Sequence, residues 1–419
     1  MFWGHRRRLG HGVDMNSGIS KLLGVASLAL LATPSHAVTY SITDLGITFY
    51  SGALSNNRFG VTAFLDASNN VYYEQSTVAY KYSNGTITKL GSGQLTGIND
   101  QGDYVQDGIV HNVPGHSYPP TGYLAEAINN NHGVAFNDGR SAQYATLYRN
   151  SPNGYYTYAL PGSSYSELET INNHGTGAGL TYDSSGAVSG AFTSHFVPGD
   201  ITRSGPFNAD TQNATQVVQY AVPTAATLRS VVGVSNADMI AGTLQVAATG
   251  YGGALNYTIT DQAYVTANGM LTSIGALGGS TFNANGRSEA YGLNDAGQVV
   301  GTSTYGGFLL NRVPIAQDNT HGFIYQNGAL TDLNSLLGIN DASRYTIVSA
   351  LRINNAGTVL VTLGDGALGL GERLGLLTLN SVSDVPEPTS WATMIVGFGA
   401  VGVGMRRRRK VADRPAAAL

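Results

Sequence analysis

The chain has 419 residues, a formal net charge of −4 and 11% charged residues, against ~25% in ordinary globular domains. This balance offers no basic surface for nucleic acid, which is therefore not expected as a partner. There is no cysteine, which excludes small disulfide-stapled scaffolds and every thiolate metal or redox site.

Met1 to Asp14 is an Arg- and Gly-rich lead with no apolar pattern. Lys21, the apolar run Leu22 to Ala32 and the small-x-small triplet Ser35-His36-Ala37 then read as a signal peptide. Translation is expected to start at Met15, with cleavage after Ala37 and a mature chain from Val38. An uncleaved N-terminal anchor is the alternative, although the apolar run is short for a span.

Residues 38–381 are expected to form one repeat domain. The pattern of an apolar residue, Asn, then Asn or Asp, and Gly a few positions later recurs at Ile98-Asn99-Asp100-Gln101-Gly102, Ile128-Asn129-Asn130-Asn131-His132-Gly133 and Ile171-Asn172-Asn173-His174-Gly175. It returns at Leu293-Asn294-Asp295-Ala296-Gly297 and Ile353-Asn354-Asn355-Ala356-Gly357, with degenerate copies at Leu54-Ser55-Asn56-Asn57 and Val234-Ser235-Asn236-Ala237-Asp238. Asn and Asp tolerate left-handed backbone and cap their own turns, while Gly takes positive φ freely, so each copy predicts a tight hairpin.

A second hairpin follows the better copies. Asn84-Gly85, Asn268-Gly269 and Asn327-Gly328 each sit between alternating runs, with a looser version at Asn153-Gly154. One repeat is thus four strands, and six or seven such repeats predict an all-β fold, a β-propeller of four-stranded blades. The last repeat ends on a single strand, Leu374 to Leu379. The N-terminus carries text like its missing partner, Tyr40-Ser41-Ile42-Thr43-Asp44-Leu45-Gly46. Pairing these two would close the ring and hide two sheet edges. A β-solenoid or a pair of β-sandwiches competes. Spacings from 30 residues (Ile98 to Ile128) to 63 (Ile171 to Val234) fit evenly stacked rungs poorly.

The run His321-Gly322-Phe323-Ile324-Tyr325 resembles the strand start of the HAF-type extracellular repeat, a likeness that covers residues 263–338 well and the first two hundred loosely. The resemblance implies an extracellular β-rich repeat protein and carries no catalytic residue.

Residues 382–410 hold Val385-Pro386-Glu387-Pro388, an uncharged stretch from Trp391 to Met405 softened by Gly397, Gly399, Gly402 and Gly404, and the run Arg406-Arg407-Arg408-Arg409-Lys410. The prolines keep the first segment extended and readable. As a helix the uncharged stretch covers about 23 Å of the ~30 Å hydrocarbon core, a short transmembrane helix needing snorkelling flanks. The cations hold residues 411–419 on the cytoplasmic side. In this order the segments resemble the PEP-CTERM sorting signal of Gram-negative bacteria. That resemblance implies recognition by an exosortase-like membrane protease, removal of the tail, and a mature form at the cell surface or outside the cell. An uncleaved C-terminal anchor is the alternative.

Motifs for catalysis are missing: there is no Gly-x-Ser-x-Gly, no His-Glu-x-x-His and no P-loop. His132 and His174 read as solvated turn residues, and Gly175 to Gly179 as strand and turn. His111 and His116 lack a third ligand, and Asn99-Asp100-Gly102-Asp103 matches no calcium loop, so neither metal nor cofactor is expected. Tyr72-Tyr73, Tyr118, Tyr123 and Tyr155-Tyr156-Tyr158 could stack on sugar rings or serve as cross-strand pairs. Two function classes stay open. One is a non-enzymatic surface or matrix scaffold associated with exopolysaccharide, using insertions such as Gly190 to Ser230 and Ser303 to Thr320. The other is a hydrolase of extracellular polymer acting in the propeller channel, for which Glu74, Glu126, Glu167, Glu169 and Glu289 are the candidate acids; a glycosidase needs two that face each other.

Overall fold

The computed structural model describes residues 39–49, 62–113, 123–138, 145–148, 155–158, 165–195, 216–224, 226–247, 259–267, 269–278, 286–305, 309–310, 313–314, 320–364 and 372–380. The proposed signal peptide, the copy at Leu54 to Asn57, His116, Tyr118 and the whole C-terminal signal lie outside these residues.

The described residues form a β-propeller. Six antiparallel sheets have four strands, and a three-stranded sheet takes a further place in the same ring. In chain order the first strands of the sheets are Ala63–Leu65, Leu95–Ile98, Tyr123–Ile128, Tyr165–Ile171, Ala226–Val234, Ser288–Leu293 and Thr346–Ile353. We number the blades one to seven accordingly; blade two is the three-stranded sheet, ending at Ile109–His111. Within a blade the strands follow one another by hairpins, as the paired turn signals predict. In blade six a small two-stranded hairpin, Leu309–Leu310 with Val313–Pro314, lies between the second and third strands.

The second strands explain their own sequence. Val299–Thr304 and Val359–Gly364 are buried nearly throughout. They sit mid-sheet with both faces against neighbouring blades, so they read as continuous apolar or small residues instead of alternating. The fourth strand of blade one, Thr86–Ser92, is the reverse, largely exposed along its length. The core is accordingly divided into seven clusters, one at each junction between blades. Phe136, Phe192, Tyr264 and Phe323 are among the largest fully buried side chains.

Blade seven is built from both ends of the domain. Tyr40–Phe49 pairs antiparallel with Glu372–Leu379, from Tyr40 opposite Leu379 to Phe49 opposite Glu372. The Asn380 N–H donates to the Thr39 carbonyl at 2.9 Å, and Arg373 pairs with Asp44 at 3.0 Å. The closing strand would leave a free outer edge, a liability in any sheet. Here the Ile42 N–H donates to Asp341 Oδ2 at 3.0 Å and Tyr40 bridges Leu337. The segment that follows blade six thus covers the edge of blade seven.

In the region Gly190 to Ser230, expected as a long insertion, the described residues are mainly strand, and residues 196–215 lie outside the described residues. Val188–His195, Gln216–Ala221 and the start of Ala226–Val234 occupy it, because its alternating residues complete blade four and begin blade five.

Candidate functional site

The first strand of every blade lines a central cavity of about 490 Å³. Its rim is made by the turn between first and second strands, and the chemistry of the repeated Asn motif is concentrated there. Seven turns stand around the rim, opening at Asp66, Asn99, Asn129, Asn172, Ser235, Asn294 and Asn354. The turn of blade one is therefore Asp66 to Asn70, a copy the Asn-Asn pattern does not reveal because its first two residues are Asp66 and Ala67.

The opening residue acts through its side chain. Asn354 Oδ1 accepts from the Ala356 and Thr358 N–H groups at 3.1 and 3.0 Å, and its Nδ2 donates to the Asp66 carbonyl in the next blade at 3.0 Å. The same pair of functions recurs at Asn99, Asn129, Asn172 and Asn294, whose Nδ2 groups reach the carbonyls of Asn129, Asn172, Ser235 and Asn354. These asparagines are buried, so an unpartnered amide there would be costly. Left-handed backbone falls instead at the fourth turn position: Asn69, Gly102, His132, Gly175, Asp238, Gly297 and Gly357 have φ between 56° and 90°.

A second belt runs beside the first. The backbone N–H of Ala67 donates to Asp100 Oδ1 at 2.7 Å, Asp100 N–H to Asn130, Asn130 to Asn173, Asn173 to Asn236, Asn236 to Asp295, and Asp295 to Asn355. Where Ser235 and Asp66 cannot donate an amide to the next turn, this second belt carries the link. The two histidines expected to be solvated also tie blades: His132 Nε2 lies 3.2 Å from Asp103 Oδ2, and His174 Nδ1 3.0 Å from the Asn236 carbonyl. Asp100 and Asp103, weighed above for calcium, spend their carboxylates on these contacts and on the amides of Asn130 and Asn99. No three His, Asp or Glu side chains gather as a metal set among the described residues.

Six of the seven first strands carry a β-bulge three residues before the rim turn, at Thr96, Glu126, Glu169, Val232, Tyr291 and Leu351. Bulges re-aim side chains. Of the five candidate glutamates, Glu169 is the one that lines the cavity. It is open to water from the channel side and enclosed by protein elsewhere. Burial first, and then the charges of Glu126 and Glu167, push its carboxyl up to about 7. Glu167 accepts from the Tyr182 hydroxyl at 2.7 Å. Glu74 accepts from the Leu95 N–H of the next blade, and Glu289 is held by Arg287 and the Tyr291 hydroxyl.

Sequence reasoning missed Arg352. It lines the cavity on blade seven, three blades from Glu169, the greatest separation a ring of seven allows. Its Nη1 donates to the carbonyls of Tyr291 and Leu351 at 2.6 and 2.7 Å, and its guanidinium lies 4.8 Å over the Phe64 ring. Burial lowers it to about 10. A lone cation in a strand two positions from a turn carries no motif, so only the ring reveals its setting.

Of the tyrosines, Tyr72 and Tyr73 are core residues, fully buried or nearly so, and Tyr73 stacks on Tyr80 at 5.4 Å. They serve as cross-strand packing and present no face to a sugar. His111 stacks on Tyr104 at 4.8 Å.

Residues 384–409 match the PEP-CTERM protein-sorting motif, which marks an exosortase-sorted extracellular protein made as a membrane-anchored precursor. No helix among the described residues is long and apolar enough to cross a membrane. No curated protein matches the chain. Solved structures similar to it include YCF48 bound to D1 peptide, with 10% identity, a TM-score of 0.43, and 84% of this chain and 100% of that one covered. The Mitotic Checkpoint Complex is similar at 12% identity and a TM-score of 0.36, covering 88% and 98%. AofleA from Arthrobotrys oligospora is similar at 11% and 0.30, covering 70% and 89%.

Proposed function

We propose that this chain is a surface or matrix protein of a Gram-negative bacterium, a non-enzymatic propeller scaffold of HAF-type extracellular repeats associated with exopolysaccharide. An exosortase-like membrane protease receives it through a transient C-terminal helix and removes the tail. The observation that carries the reading is the place of the sorting motif. It begins at residue 384, just beyond Asn380, which is hydrogen-bonded to Thr39 at the closure of the ring. Thr39 and Asn380, the described residues that come before and after the ring's closing pair of strands, are thus neighbours, and the two processing sites, after Ala37 and near Pro386 to Pro388, lie outside the strands of the ring in sequence.

The acids support a scaffold. Asp100 and Asp295 on the rim are engaged by neighbouring amides, and four of the five candidate glutamates lie away from the cavity. A hydrolase acting in the channel is the second reading, favoured by Glu169, whose carboxyl near 7 suits a general acid. Among the described residues no second carboxylate free of partners faces Glu169 across the channel.

Fractionation of cells with mass spectrometry of the mature C-terminus, joined to pull-down on the producer's exopolysaccharide, tests the proposal. A surface form ending near Pro386 to Pro388 and retained on polymer is expected. A surface form with intact Arg406 to Lys410, or one that washes off the polymer, overturns it.

A further inference from the structure

The cavity holds two ionisable side chains, Arg352 and Glu169, whose hydrogen-bonding capacity is only partly used or unused among the described residues. Arg352 uses Nη1 on two carbonyls, and its Nε and Nη2 donors have no partner among the described residues. No carboxylate among the described residues pairs with it. Glu169, on the facing part of the ring, accepts no hydrogen bond among the described residues and is not paired with Arg352. An unpaired guanidinium within a protein is expensive. Here it is also immobilised, by two carbonyls on one side and the Phe64 ring on the other, which leaves the remaining N–H groups pre-organised for a planar anion.

The surroundings restrict what that anion can be. A cavity of about 490 Å³ lies in the range of sites for small molecules, roughly 300–1,000 Å³. The cavity lining includes the short or apolar Gly97, Ala127, Gly233 and Ile353, while Thr96 and Thr170 add hydroxyl-bearing residues. A carboxylate matches the guanidinium fork. A carboxyl across the ring that accepts hydrogen bonds suits hydroxyl groups on the rest of the molecule. We propose that the channel is a binding site for a carboxylate-bearing sugar, a uronate, with its carboxylate on Arg352 and its hydroxyls toward Glu169. This rests on the exopolysaccharide reading and deepens it, since uronates are the acidic residues of such polymers.

Calorimetric titration of the full chain in detergent tests this, with sodium glucuronate, its methyl ester, glucose and acetate as probes. Glucuronate is expected to bind, the neutral ester and glucose to give no heat, and acetate to bind at least tenfold more weakly. Arg352→Gln should weaken glucuronate at least tenfold, and Arg352→Lys by less, because a point charge replaces the fork. Circular dichroism melting checks that both variants fold, and the ester comparison on the unaltered protein needs no variant at all. Equal binding of glucuronate and its ester, equal binding of acetate and glucuronate, or no binding of glucuronate overturns the proposal. So does a folded Arg352→Gln variant that binds glucuronate within twofold of the parent. Polymer retention unchanged in Arg352→Gln would overturn the channel site and leave the scaffold reading standing; absence of polymer retention in the unaltered protein, with its glucuronate binding intact, would overturn the scaffold reading and leave the channel site standing.

Discussion

Replacing Asn354 by Ala tests whether the rim belt holds the propeller together. Asn354 is 6% exposed and makes four hydrogen bonds: two accepted from its own turn, and two donated to blade one, to the Asp66 carbonyl and Asn69 Oδ1 at 3.0 Å each. Each is worth about 0.5–1.5 kcal/mol net, and a buried donor left without its acceptor costs about 1–3 kcal/mol more. The Thr358 N–H would be such a donor, since its bond is buried. Taken at the low end of both ranges the sum is a loss of about 3 kcal/mol, and at about 2 °C per kcal/mol for a large domain the melting temperature should fall by roughly 6 °C or more. Asn327→Gly is the control. Asn327 sits in an outer hairpin at φ 52°, where Gly is at ease, so a change under about 0.5 kcal/mol is expected. Asn354→Asp separates the two functions. It keeps the accepted bonds but sets a buried carboxylate against the Asp66 carbonyl. Its folded pKa should lie above the unfolded value, so the penalty is absent at low pH and grows as pH rises through the unfolded value toward the folded one. Urea melts of the three variants at pH 4 and pH 7.5 give the comparison. An Asn354→Ala loss below about 1 kcal/mol, or an Asn354→Asp penalty that does not depend on pH, refutes the reasoning.

Glu372→Gln should stabilise the protein in alkaline but not in acid solution. Burial alone pushes the Glu372 carboxyl up to about 7, above its unfolded value, so stability is fully present below about pH 4 and lost as pH rises to about 7. A gain on the order of 2 kcal/mol at pH 8, vanishing near pH 4, is expected from melting curves across pH. Gly301→Ala should be severe, costing about 3 kcal/mol or more, because a Cβ there meets the Glu289 carbonyl and the Phe323 ring beside the bulge at Tyr291. Gly328→Ala, with open space around it and a positive φ of 79°, should cost about 1 kcal/mol. Equal losses in the two glycine variants would show that the bulge does not demand close approach.

Turns, hairpins and the tail are local chemistry, set by residues adjacent in the chain. Asn84-Gly85 and Asn327-Gly328 take positive φ at both residues, as their composition requires, and Pro386-Glu387-Pro388 is legible from its own residues. The closing strand could be read too, because Tyr40 to Gly46 repeats the text of Ala329 to Leu333 and Leu374 to Leu379 lacked a partner. The rest is non-local and follows from the closed ring. Asp66 stands in the place of an asparagine because the turn needs an acceptor for Ser68 and Asn70, and the link onward is supplied by Ala67 and Asp100. The first asparagine of each motif looks like a residue for left-handed backbone, yet its amide reaches the next blade, 30 to 66 residues along the chain from Asn99, Asn129, Asn172 and Asn294 and 288 residues back from Asn354. Bulges then turn Glu169 into the channel and leave Glu126 outside its lining. Arg352 acquires its setting from Tyr291 and Phe64, residues 61 positions away in one case and on another blade in the other. Such contacts depend on the ring being closed, and closure brings together residues that no local pattern relates.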